Sequence, residues 1–134
     1  MAEIRLPSGV HLRRVRLEEA RDKGKPEPLA GNGYEFIAPL DATGHIDLEV
    51  WKNMRALCFV HRLEGGIIAD RGLLVHKAGG QGGATWAFDY EPGAGDEEAG
   101  YRFNAHPFVP GEYVSVRDED GEMHTYRVAS VTAA

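Results

Sequence analysis

The sequence predicts an all-β fold: a small single-domain β-barrel or sandwich, mostly antiparallel, of the SH3-like or split-barrel type. Three observations carry that expectation. Turn signals rich in glycine, proline, asparagine and aspartate cut the chain at regular intervals into about eight to ten short runs. Within most runs apolar and polar residues alternate, the period of a strand with one buried face. Near the C-terminus two alternating runs flank an acidic turn containing Asp120-Gly121, a strong hairpin signal.

That hairpin predicts its own register. A two-residue loop would set Val116 against Thr125 and Val114 against Arg127, so the apolar residues would miss each other. A three-residue loop over residues 119–121 sets Val114 against Tyr126 and Val116 against His124, and gathers the apolar side chains on one face. A one-residue slip turns every side chain over, so burial selects the second pairing.

In chain order, residues 3–6 form a short strand ended by Pro7-Ser8-Gly9. Val10, Leu12, Val15 and Leu17 follow at a spacing of two that jumps to three, which predicts a strand with an irregularity near Arg13-Arg14. A helix over residues 17–23 is the competing reading, since Glu-Glu-Ala-Arg favours one. Residues 23–32 are punctuated by glycine and proline and read as an exposed loop. Tyr34, Phe36 and Ala38 mark a strand, and residues 41–44 a turn. Ile46, Leu48 and Val50 predict another strand, although Ile46, Val50 and Met54 at spacing four also fit one face of a short helix. Residues 56–60 read as a strand buried on both faces. The next strand covers residues 72–77, with Leu73 and Val75 on one face. Residues 79–83 are a glycine-rich connection, and residues 85–90 a strand on which Trp86, Phe88 and Tyr90 share a face. Residues 91–100 are an acidic loop, after which Tyr101 and Phe103 begin the terminal unit.

A chain of 134 residues is one domain, large enough to bury a core without disulfides. Apolar and charged contents of 43% and 27% are ordinary for a globular protein. The single cysteine, Cys58, excludes an intrachain disulfide and favours a reducing compartment. No signal peptide or membrane span is legible, so a cytoplasmic location is expected. The net charge is −6, and its distribution is uneven. Residues 1–30 carry seven basic and five acidic groups, the remainder eight basic and sixteen acidic. An acidic body repels a phosphate backbone, which disfavours nucleic acid as a partner. The exception would be a patch built from Arg5, Arg13, Arg14 and Arg16.

The motifs that carry chemistry are incomplete. Six histidines (His11, His45, His61, His76, His106 and His124) lack the close spacing of a metal site. His61 and His76 could meet on a hairpin, with His106 or His124 as a third ligand, but no metal or other cofactor is expected. Residues 118–122 begin like a calcium loop, yet Met123 stands where the glycine belongs and Ala129 where the glutamate belongs. The glycines at 79–83 lack both the Gly-Lys-Ser/Thr of a phosphate loop and the third glycine of a dinucleotide loop. Cys58 in its apolar run reads as a small hydrophobe, and none of the three serines sits in a nucleophile elbow. The aromatic set is more informative. Trp51 falls on the polar face of its expected strand, so an exposed ring near Arg55 or Arg102 could line a groove for a small molecule or peptide. His106 and the pair Tyr126-Arg127 complete the candidate ligand-binding set.

The segment Pro110-Gly111-Glu112-Tyr113-Val114-Ser115-Val116 resembles the opening of the flavin-binding barrel of ferredoxin-reductase-type enzymes. That family follows it with Arg-x-Tyr-Ser on the next strand. Tyr126 matches, but His124 replaces the arginine and Arg127 the serine, and there is no room for a nicotinamide domain. As a whole the chain looks like a small bacterial family of all-β proteins, a resemblance that implies no activity. The expectation is therefore a non-catalytic binding or interaction module for a small molecule or protein. The alternatives are a flavin- or transition-metal-binding enzyme and an RNA-contacting barrel.

Overall fold

The computed structural model describes residues 6–20, 31–76, 86–90, 97–101, 103, 106–117 and 122–134. Among these residues eight strands form: β1 (His11–Glu19), β2 (Gly33–Leu40), β3 (Phe59–Glu64), β4 (Ile67–His76), β5 (Trp86–Asp89), β6 (Glu97–Tyr101), β7 (Tyr113–Arg117) and β8 (Met123–Ala133). Each pairs antiparallel with its neighbours in sequence, and β8 pairs back onto β1, so the sheet closes into a barrel. The expected all-β, antiparallel barrel therefore forms. The finer expectation of an SH3-like or split-barrel type gives way to a simple up-and-down winding, because each strand pairs with its neighbours in sequence. Closure removes the exposed strand edges that an open sheet of this size would present.

The interior is built by alternation. Val15 and Leu17 on β1, Tyr34, Phe36, Ala38 and Leu40 on β2, Val60 on β3, Leu74 on β4, Trp86 and Phe88 on β5, Val114 and Val116 on β7, and Tyr126 and Val128 on β8 are all buried. The hairpin of β7 and β8 has the expected register, Val114 opposite Tyr126 and Val116 opposite His124. Phe103 and Phe108 enter from the connection between β6 and β7. Phe36, Phe88, Phe103 and Phe108 form one ring cluster, with centroid separations from 5.1 to 6.3 Å. Two β-bulges adjust the pleat. Arg16 faces Ser130 but Leu17 faces Val128, which leaves Ala129 as an extra residue on β8. The slip of one position brings Val131 opposite Val15, on the inner face that Ser130 would otherwise occupy. On the next hairpin Arg62 faces Asp70 and Leu63 faces Ile68, so Ala69 is the extra residue.

Four readings of the sequence are corrected here. The irregularity expected near Arg13-Arg14 lies between Arg16 and Leu17, on the β8 side. The strand expected over residues 46–51 is instead a single bridge at Ile46 followed by helix α1 (Leu48–Lys52). Asp47 caps that helix by accepting the Val50 amide at 3.0 Å, and the spacing of Ile46, Val50 and Met54 was its signature. Residues 56–60 are not one buried strand: Arg55–Leu57 is a 3-10 turn with Leu57 exposed, and β3 starts at Phe59. The acidic loop expected over residues 91–100 gives way at Glu97, where β6 begins and pairs with β5. Leu73 and Val75 share one face of β4 as expected, the outer one, since the fully buried side chain is Leu74. The expected strand at residues 3–6 lies outside the described residues except for Leu6. Residues 23–30 of the expected loop over 23–32, the glycine run at 79–83, residues 91–96 of the expected acidic loop and the hairpin tip at 118–121 lie outside them.

Glycine is demanded by close approach at two ladder positions. A Cβ on Gly33 would meet the Leu17 carbonyl oxygen at 1.8 Å, and one on Gly72 would meet the Asp89 carbonyl oxygen at 2.3 Å. Both contacts are backbone and cannot swing away.

The ring cluster sets the stability. Phe88→Ala is expected to lower the unfolding free energy by about 3–5 kcal/mol. Phe59→Ala, on the outer wall, should stay within about 1 kcal/mol. Urea unfolding of the two variants checks this; comparable losses would contradict the assignment of inner and outer faces.

Candidate functional site

The barrel has two unlike ends. One carries α1, the 3-10 turn and the chain leading into β7. There Val50, Trp51 and Met54 turn inward and close the floor. Trp51 is buried, and its indole N–H donates to the Leu74 carbonyl at 3.1 Å. It meets Trp86 edge-on at 5.1 Å, and the Arg55 guanidinium lies 4.8 Å from the Trp51 ring centroid. The expected exposed tryptophan is thus a core residue, because the segment turned helical and rotated it inward. Its expected neighbour Arg55 is indeed beside it, as a cover.

Tyr126 and Arg127 of the candidate set do not converge on that pair. Tyr126 is buried on β8 near the opposite end of the barrel. Arg127 follows it in the strand and so points outward, 3.8 Å from Glu18. His106 is half-buried on the chain before Phe108. Arg102 lies outside the described residues. The histidine cluster does not form either. His61 faces outward and stacks on Phe59 at 5.8 Å, whereas His76 faces inward against Trp86 at 4.8 Å. Among the described residues no group of three His, Cys, Asp or Glu side chains is placed to hold a metal ion.

At the end away from α1, a small polar cleft of about 140 Å³ is lined by Glu19, Tyr34, Arg62, His124 and Tyr126. Its charges are matched within the barrel: Arg62 Nε donates to Asp70 at 3.1 Å and Arg62 Nη1 to Glu64 at 2.9 Å, and Asn32 donates to Glu19 at 3.4 Å.

A second, wider concavity lies at the α1 end and was not anticipated from the sequence. It is an open groove of about 490 Å³ between the start of β1, the turn after β2 and the chain entering β7. Leu40, Phe108, Val109, Pro110 and Val131 supply an apolar wall; His11, Arg13 and Asp41 supply the polar groups. Strand parity explains the placement. His11 and Arg13 share the face of the buried Val15 and Leu17, but they sit at the barrel rim, opposite Leu40 and Ala38. Their neighbours Arg14 and Arg16 face the outer wall and pair with Glu35 at 2.9 and 3.6 Å. Among the described residues the Arg13 side chain has no ion pair or hydrogen bond.

Asp41 is committed to its turn. Its Oδ1 accepts from the Thr43 amide at 2.9 Å, the Thr43 hydroxyl at 2.7 Å and the His45 amide at 3.0 Å. The Thr43 hydroxyl foremost, with those amides, holds the Asp41 carboxyl below its ordinary value against the opposing effect of burial. The Thr43 hydroxyl also lies 2.7 Å from His45 Nδ1. Since the hydroxyl proton goes to Asp41, His45 Nδ1 is the donor to that oxygen. A base for a threonine nucleophile would need the reverse polarity, so the trio is a turn brace.

Two titratable groups lie beside this end, Cys58 in the core and His76 half-buried. Cys58 is fully buried, and burial pushes its thiol up to about 12. It is the small hydrophobe expected of it. Burial foremost, and then the Lys52 charge, hold His76 below the ordinary imidazole value of 6.5.

Two outcomes follow from these groups. Native protein at pH 8 should leave Cys58 unreacted with a thiol reagent such as DTNB, and unfolding in guanidinium should release one thiol; rapid labelling of the native state would refute the burial. Protonation of His76 is disfavoured in the folded state, so its contribution is complete above pH 6.5, the unfolded value, and declines as pH falls below it. The unfolding free energy of His76→Gln should accordingly fall less between pH 7 and 5 than that of the native chain. Parallel urea titrations measure the difference, and identical slopes would refute the assignment.

No helix among the described residues is long and apolar enough to cross a membrane. No family model matches the sequence, and no curated protein and no solved structure matches it either.

Proposed function

We propose that this protein is a non-catalytic binding module that receives a small ligand in the groove at the α1 end of the barrel. The observation that carries the reading is the contrast between a filled interior and an open rim. Aromatic rings occupy the lumen, whereas the rim groove of about 490 Å³ falls within the range of small-molecule sites. Its mix of an apolar wall with a few polar groups is the usual makeup of such sites. The ring-filled interior weighs against a flavin in the lumen. The pairing of Arg14 and Arg16 with Glu35 weighs against an RNA-binding arginine patch. A cytoplasmic location accords with the lone, buried Cys58.

The test uses the dye 8-anilinonaphthalene-1-sulfonate as an amphipathic probe. Saturable fluorescence enhancement is expected for the native chain. Ala42→Trp, which fills the groove, should weaken binding at least tenfold at an unchanged melting temperature, while Tyr126→Phe at the opposite end should not. Equal binding by native protein and Ala42→Trp would overturn the reading, as would visible absorbance or stoichiometric metal in freshly purified protein.

A further inference from the structure

We infer that the groove selects a free organic monocarboxylate with an apolar body, its carboxylate on Arg13 and its hydrocarbon against Phe108, Val109 and Val131. This rests on the groove being the binding site and adds the class of ligand. Three features of the chain argue for it.

First, Arg13 is the exception among the arginines of β1. Arg14 and Arg16 are ion-paired on the outer wall, whereas Arg13 is turned to the inner face at the rim and has no partner among the described residues. A half-buried guanidinium without a counter-ion calls for an anion, and its planar fork matches a carboxylate in two parallel hydrogen bonds. His11, two residues earlier on the same face, adds a second polar group at the same rim.

Second, the groove also holds Asp41, whose Oδ1 is consumed by Thr43 and His45 and whose carboxyl is held in its charged form. A fixed negative charge on the same rim penalises each added negative charge on the ligand. One carboxylate on Arg13 is tolerated; a doubly charged phosphate monoester is disfavoured.

Third, closure of the barrel selects the source of the carboxylate. Peptides commonly add as a strand to a free sheet edge, and here β8 pairs with β1, so the sheet has no edge strand among the described residues. A groove of about 490 Å³ fits a compact small molecule.

The experiment titrates the full chain by calorimetry with octanoate, octan-1-ol and octyl phosphate, and repeats each with Arg13→Gln and Ala42→Trp. The native chain should bind octanoate at least tenfold more tightly than octanol or octyl phosphate. Arg13→Gln should bring octanoate down to the level of octanol and leave octanol unchanged; because Arg13 has no partner among the described residues, the melting temperature of this variant should match the native one. Ala42→Trp should abolish binding of all three. Equal affinity for octanoate and octanol, or a gap that survives Arg13→Gln, would overturn the carboxylate assignment and leave the groove reading standing. Tighter binding of octyl phosphate would overturn the choice of a monoanion. No binding of any of the three by the native chain would overturn the groove reading and this inference together.

Discussion

The ring cluster of Phe36, Phe88, Phe103 and Phe108 is the contact on which the rest of the barrel depends. An eight-stranded barrel encloses a space just wide enough to be filled by side chains or to hold one small ligand. Here the four phenylalanines, with Trp86 and Leu74, take the first course. Two of them arrive on strands, and the other two come from the connection before β7, so the cluster ties a non-strand segment into the core. Gly44 makes the tie possible: the Phe108 amide donates to its carbonyl at 2.8 Å, and a Cβ there would lie 3.2 Å from the Phe108 nitrogen. Trp51 then closes the floor with its indole on the Leu74 carbonyl.

A filled interior moves recognition to the rims, and the two rims differ in how their charges are satisfied. At the end away from α1, Arg62 is matched by Asp70 and Glu64. The outer wall is likewise balanced, with Arg14 and Arg16 on Glu35 and with Arg16 and Arg127 on Glu18. Such surface pairs contribute only about 0.2–1 kcal/mol each, but they neutralise arginines that would otherwise attract a phosphate backbone. At the α1 rim the balance is incomplete, and Arg13 faces an apolar wall across an open groove. An alternation of single residues along β1 separates a structural arginine from one available to a ligand.

The candidate site was much less legible than the fold. The register of the terminal hairpin could be read because burial of Val114, Val116 and Tyr126 allows only one parity. The inner face of β5 could be read because Trp86 and Phe88 alternate in an otherwise small or polar run. Trp51 was misplaced because residues 46–51 satisfy both a period of two and a spacing of four. The Asp47 cap, with packing against Trp86, decides between them. The bulge at Ala129 was invisible, since its only purpose is to return Val131 to the inner face opposite Val15. The groove was missed for a related reason: Gly9, Asp41, Gly44 and Val109 come from three separate connections and have no common motif.

The alternation of apolar residues and the spacing of turns, read from the sequence alone, determined the all-β class, most strand positions, the hairpin register and the role of Cys58. Those properties are local, because the pleat and the turn dictate which residues share a face within a few positions. The closure of β8 on β1, the inward rotation of Trp51 and the turning of Arg13 toward a rim groove were decided only by the tertiary structure. Each depends on which segments meet across the barrel, and contacts between distant segments leave no period in the chain.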